Sequence, residues 1–273
     1  MLFPLYVLNP RLRFPIVTLL IIIANFATMG WLNTLRERDQ SVIAAEYGFV
    51  PARLTLLGSG KVVNVPVPTV NFFWGMRVPQ LVTVPTSTDA RDVYRSFFSM
   101  MFLHSGWMHL LMNVWALWLF GPNIEDRLGH LVFPMFYALG GVVAMLAFWV
   151  SDPGGHMPVI GASGALAAVL GAYAVTFPTT KVRTLIFFIF VLIVDMPALL
   201  LLGIWFMLQV VSGMMGLWGF PMEPVAFWAH VGGFVAGMIL MPLLSFGASP
   251  PGADWRKETD DLFQFEDPRF MNR

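Results

Sequence analysis

The chain has 273 residues, of which 57% are hydrophobic and 12% charged, with sixteen basic and sixteen acidic side chains and a formal net charge of zero. Soluble domains carry about 25% charged residues, so this composition describes a polytopic membrane protein and excludes an ordinary water-soluble fold. Zero net charge gives no reason to expect a nucleic-acid partner, and the absence of cysteine removes disulfides and thiolate-bound metals.

A spanning helix needs roughly 20 apolar residues. Six runs approach that length: 14–31, 106–120, 131–150, 159–177, 198–217 and 225–246. The first follows Arg11 and Arg13 and ends in Trp31, longer than the core of a signal peptide, and is expected to be a retained anchor. The sequence predicts an all-α bundle of six transmembrane helices over 14–246, a short cytoplasmic N-terminus at 1–13 and a cytoplasmic tail at 247–273. Arg127, Lys181 and Arg183 would lie inside with both ends, whereas the short loops around 151–158 and 218–224 contain no Lys or Arg. The expected location is a multi-pass position in a bacterial inner membrane. The tail from Ala248 carries six acids and four bases without an apolar period, and reads as solvated chain.

Two segments fall outside this pattern. The long outer loop, 33–96, holds an aromatic cluster at Phe72, Phe73, Trp74 and Met76. It reads either as a segment half-submerged at headgroup level or as a folded loop with a small core of its own. The apolar run 182–194 ends at Asp195-Met196-Pro197 and is too short to cross, so 182–197 is expected to be interfacial or re-entrant. Six crossings, not seven, let Ser163 and His230 share a depth, because each lies near the start of its helix.

Three polar islands stand in otherwise apolar helices. Lipid punishes unpartnered polar groups, so each demands an explanation. In the first, His109 and Asn113 are four apart and share a helix face; they serve either as polar glue between helices or as donors to one oxygen. His104 lies five residues from His109, about 140° round a helix, which argues against the two acting as metal ligands. In the second, Ser163 sits between Gly161 and Gly164 at a helix start, where backbone amides lack intrahelical partners. The tetrapeptide alone is equally a packing motif. The stripe Ser163, Ala167, Gly171 and Ala174 indicates a face that meets another helix closely. In the third, Ala226, His230, Gly233 and Gly237 form one small-residue face. Pressing the two stripes together sets His230 opposite Ser163 as its base. No Asp or Glu stands one turn from His230, which predicts a Ser–His dyad whose ring is oriented by packing, with Tyr173 or another aromatic as support.

These residues resemble the three signatures of rhomboid intramembrane serine proteases: His104-x4-His109-x3-Asn113, Gly161-Ala162-Ser163-Gly164, and Ala229-His230-x2-Gly233-x3-Gly237. Glu125-Asp126-Arg127-Leu128-Gly129 is similar to the turn that closes the second helix in that family. The likeness covers about 94–244. It implies Ser163 as nucleophile and His230 as base. It also implies His109, Asn113 and the Ser163 amide as oxyanion donors, and cleavage in or beside the transmembrane helices of other membrane proteins, without metal or cofactor. The sequence departs from the family at Tyr94-Arg95, where Trp-Arg is usual, and in a longer interval between Ser163 and His230. The alternatives are a catalytically silent rhomboid-like binder of membrane clients and, from another class, a small transporter. Oligomeric state is not legible.

Overall fold

A computed structural model describes residues 2–9, 13–73, 76–187, 191–220 and 225–245, the side chains of 68–80 excepted. The apolar runs form α1 (Ile16–Leu32), α5 (Trp107–Leu128), α6 (Val132–Ser151), α7 (Ser163–Thr176), α8 (Ala198–Leu217) and α9 (Phe227–Leu244). By length and composition α6, α8 and α9 can cross a membrane, while α1 and α7 are shorter apolar helices. At 14 residues α7 is only about 21 Å long. It need not match the bilayer, because it is the centre of the bundle. Every residue from Gly164 to Ala174 is buried, and α5, α6, α8 and α9 all pack against it. Its run of alanines and glycines is what allows four neighbours so near one axis.

The second apolar run continues past its expected end. Helix α5 extends through Pro122 to Leu128 and stops at Gly129, whose φ is 79°. The extra turns place Glu125, fully buried, at the N-terminus of α1. Its carboxylate accepts from the Val17 and Thr18 amides (2.8 Å each) and the Thr18 hydroxyl (2.6 Å), and pairs with His130 Nδ1 at 2.6 Å. A carboxylate at a helix start satisfies orphan amides and complements the dipole, so Glu125 pins α1 to α5.

The all-α expectation is corrected in two places. The interfacial candidate is a β-hairpin, β4 (Lys181–Phe187) and β5 (Val191–Pro197), and the N-terminal segment supplies a third strand, β1 (Leu2–Val7), in the order β1-β4-β5 with all pairs antiparallel. Val, Ile and Phe dominate this run, which suits a pleated strand, and it is too short to be stable alone as a membrane helix. The long loop contains helices α2 (Glu37–Tyr47), α3 (Pro51–Thr55) and α4 (Ala90–Ser99), with a second hairpin of β2 (Val62–Phe73) and β3 (Met76–Ser87). It has a separate core of Ala45, Val50, Ala52, Val63, Val65, Val67 and Val84. The buried Arg53 is its polar peg, donating to Ser87 O at 2.8 Å and Glu46 O at 3.0 Å. The backbone of Phe72, Phe73 and Met76 belongs to the hairpin, whereas Trp74, the side chains of that cluster and the tail from 246 lie outside the described residues.

Candidate active site

The loop domain and the start of α7 meet at one end of the bundle. Phe49 bridges to Val159, with backbone bonds of 2.9 and 2.7 Å, and its ring packs on Phe97 at 4.8 Å. Residues 159–162, expected to be helical, are not: Val159 is held in this bridge, the chain bends at Gly161, and α7 begins only at Ser163. The approach is fixed further by Gly161 N donating to Met100 O at 2.9 Å and by the Ala162 amide donating to His104 Nε2 at 3.4 Å.

Gly161 has φ +129°, a conformation that L side chains rarely adopt. A Cβ there would stand 2.9 Å from His109 Nε2 and 3.7 Å from Ser163 Oγ. The imidazole and the hydroxyl therefore flank one small gap that only glycine leaves open. His109 Nδ1 is engaged by Ser105 Oγ at 3.1 Å, and Asn113 Nδ2 donates to His109 O at 2.9 Å. An amide carries two hydrogens, so Asn113 has one left for another acceptor.

The helical separation assigned to the two histidines does not apply. His104 precedes α5, which starts at Trp107, and the two rings meet edge-on at 5.0 Å. Among the described residues no three His, Asp or Glu side chains are grouped to hold a metal ion.

Helices α7 and α9 touch backbone to backbone. A Cβ on Gly233 would collide with Gly164 O, one on Gly237 with Ala168 O, and one on Gly171 with Phe234 O. Gly164 is itself closed in by Ala144 of α6, 2.8 Å from where its Cβ would be. Of the face expected on α7, Ala167 and Gly171 make the contact, joined by Gly164 and Ala168. Ser163 stands at its edge, half-exposed.

A cavity of about 1180 Å³ opens beside this seam, running from Pro4 of β1 at one end to His156 at the other. Ser163, His230, His109 and Asn113 all line it. Among the described residues Ser163 and His230 share the cavity wall without a hydrogen bond between them.

His230 is supported by an aromatic, as expected, but not by Tyr173. Tyr173 packs instead on Phe120 and Phe177. The His230 ring lies against Trp205 at 5.8 Å, and its Nδ1 meets Gln209 Oε1 at 2.9 Å. Both partners belong to α8 and stand four apart on one face. Sequence reasoning missed them, although an amide in an otherwise apolar helix is the same signal that singled out Asn113.

The Rhomboid domain model matches residues 90–246. A Bacillus subtilis (strain 168) protein whose name includes the words rhomboid protease is 38% identical over 71 residues, 26% of this chain and 35% of its own length. Rhomboid-like protein 11, chloroplastic, of Arabidopsis thaliana is 30% identical over 158 residues, 55% of this chain and 52% of its own. The mitochondrial presenilin-associated rhomboid-like protein of Homo sapiens is 28% identical over 155 residues, 54% of this chain and 41% of its own. The chain thus spans at most about half the length of these relatives. With the family model covering more than half of the chain, and with the residues of all three motifs brought to one cavity and its seam, this integral membrane protein belongs to the rhomboid family.

Proposed function

We propose that this rhomboid is an intramembrane serine endopeptidase that hydrolyses peptide bonds in or next to the transmembrane helices of other proteins. The reading is carried by one observation: Ser163 and His230 line the same cavity where α7 and α9 touch, with His109 and Asn113 on its wall. Ser163 Oγ attacks the scissile carbonyl while His230 Nε2 takes the hydroxyl proton. The developing oxyanion is held by the His109 N–H, the free Asn113 hydrogen and the Ser163 amide, which as the first residue of α7 lacks an intrahelical partner. His230 returns the proton to the leaving amine, then activates a water that hydrolyses the acyl-enzyme. The hydrogen bond between nucleophile and base closes in the substrate complex, as is common for catalytic contacts that are loose in the free enzyme.

The substrate carbonyl must leave its helical hydrogen bond to be attacked, which favours helices interrupted by Gly, Ala or Ser. Six crossings, α1 and α5 to α9, put the loop domain and Ser163 on the outer side and the base of the β1-β4-β5 sheet, at Lys181 and Pro197, on the inner side, with Pro4 of β1 reaching up to Trp115 of α5. The hairpin carries Phe187, Val191, Leu192 and Ile193 exposed, above an Arg183–Asp195 pair at 2.8 Å. Apolar tip and charged base suit a position at the inner headgroup boundary. The relatives include proteins named for mitochondria and chloroplasts beside a bacterial one. The bacterial inner membrane is therefore a proposal that rests on the charge pattern and not on the family.

The test is labelling of the purified protein by a fluorophosphonate, with cleavage of a single-span substrate alongside. Ser163→Ala and His230→Ala are expected to abolish both; Ser163→Ala should leave thermal unfolding in detergent unchanged, whereas His230→Ala also removes the contacts to Trp205 and Gln209 and should lower the midpoint modestly. Asn113→Ala is expected to slow cleavage on the order of 10- to 1000-fold, one donor of several. Full cleavage by Ser163→Ala would overturn Ser163 as the nucleophile, and absence of both labelling and cleavage in the wild type would overturn the reading in favour of a client-binding or transport role.

A further inference from the structure

We infer that Gln209 is a positioning residue that sets which nitrogen of His230 carries the proton, so that the proposed dyad works as a neutral three-member set, Ser163–His230–Gln209. The inference rests on the protease reading and deepens it. A neutral imidazole has two tautomers, and only the one with a bare Nε2 can take a proton from Ser163 through that atom. The Gln209 oxygen contacting Nδ1 at 2.9 Å can only accept, so Nδ1 holds the hydrogen and Nε2 keeps its lone pair. Trp205, one turn earlier on the same face of α8, supports the ring plane at 5.8 Å, and both Trp205 and His230 line the cavity. Two contacts from a single helix therefore fix tautomer and orientation together.

The choice of an amide has a physical reason. A carboxylate in this place would do the same work as an acceptor, but His230 is buried at 9% exposure among apolar side chains, where an added anion is costly to desolvate. Glutamine gives the acceptor without net charge. It also accounts for the amide itself. Helix α8 is otherwise apolar apart from Ser212, and an amide facing lipid without a partner would be penalised.

The experiment measures fluorophosphonate labelling, resolved into the inactivation rate at saturation and the half-saturating concentration, across pH. Gln209→Met keeps the shape and removes the acceptor. It is expected to lower the saturating rate about 10- to 100-fold, less than loss of the general base itself because His230 remains, with half-saturation unchanged. Gln209→Glu restores the acceptor and is expected to recover most of the rate. Its acid limb moves to higher pH, because an anion beside the ring favours imidazolium, which cannot act as base until it loses its proton. Labelling of Gln209→Met at the wild-type rate, or a loss confined to half-saturation, overturns the inference. So does an acid limb in Gln209→Glu that stays in place, and this result decides the matter even where Gln209→Met does not fold. If Ser163→Ala labels like the wild type, the protease reading falls. If Ser163→Ala is silent and both Gln209 variants behave as wild type, only the role of Gln209 falls.

Discussion

Helix α9 meets two of its neighbours, α7 and α8, in opposite ways. Against α7 it presents glycines to backbone carbonyls and to the Ala167 methyl. Against α8 it uses side chains throughout: Phe234 stacks on Phe206 at 4.7 Å and tilts on Trp205 at 6.1 Å, while His230 reaches Gln209. A backbone seam has one setting, because nothing in it can change rotamer. A side-chain contact has several. The serine is carried on the helix across the rigid seam, and the groups that aim the imidazole sit on the adjustable side. Separation of Ser163 and His230 is thereby set by glycine, and ring orientation by α8.

This contrast fails first if the seam tolerates bulk. Gly237→Val would drive a branched side chain into Ala168 O. We expect a loss of about 3 kcal/mol or more in unfolding stability, above the usual overpacking range because the obstacle is backbone, together with loss of labelling. Wild-type labelling and an unshifted unfolding midpoint would show that the two helices can part. Glu125→Ala comes next. It leaves the α1 start without its acceptor and should cost about 3 kcal/mol in thermal unfolding, while the rate of the remaining folded protein is preserved, since Glu125 acts far from Ser163 in the fold. Phe206→Ala sharpens the comparison from the other side. Removing a half-buried ring from the α8 contact should cost about 1–2 kcal/mol, less than burial in a full core, because α8 can shift to meet Phe234. The smallest effect is expected outside both contacts. Arg183 holds the Asp195 carboxyl below its usual range through a paired hydrogen bond, yet both groups are solvated, so Arg183→Ala should leave the unfolding midpoint within measurement error.

The site was readable because its parts are penalised anywhere else. Ser163, His109, Asn113 and His230 stand out against lipid-compatible neighbours, and Gly233-x3-Gly237 announces a close helix contact before any coordinates exist. The strands were not readable in the same way. The run 182–194 has no alternation to mark a half-buried strand, and its partner, Leu2–Val7, lies some 180 residues away in sequence. The helical angle assigned to His104 and His109 failed because the helix starts at Trp107, a boundary that no capping residue marks. Gln209 was passed over because its partner comes from another helix, and no local spacing connects them.

Sequence alone determined the solvent, the apolar runs and which polar side chains stand among them, because hydrophobicity and chemical type are properties of single residues. Tertiary structure alone decided three things: that the N-terminal segment closes a sheet with the hairpin, that Gly164 and Ala168 join the seam while Ser163 only borders it, and that His230 takes its bearing from α8. Each of these is a pairing between distant parts of the chain, and pairing energies exist only once the helices have packed.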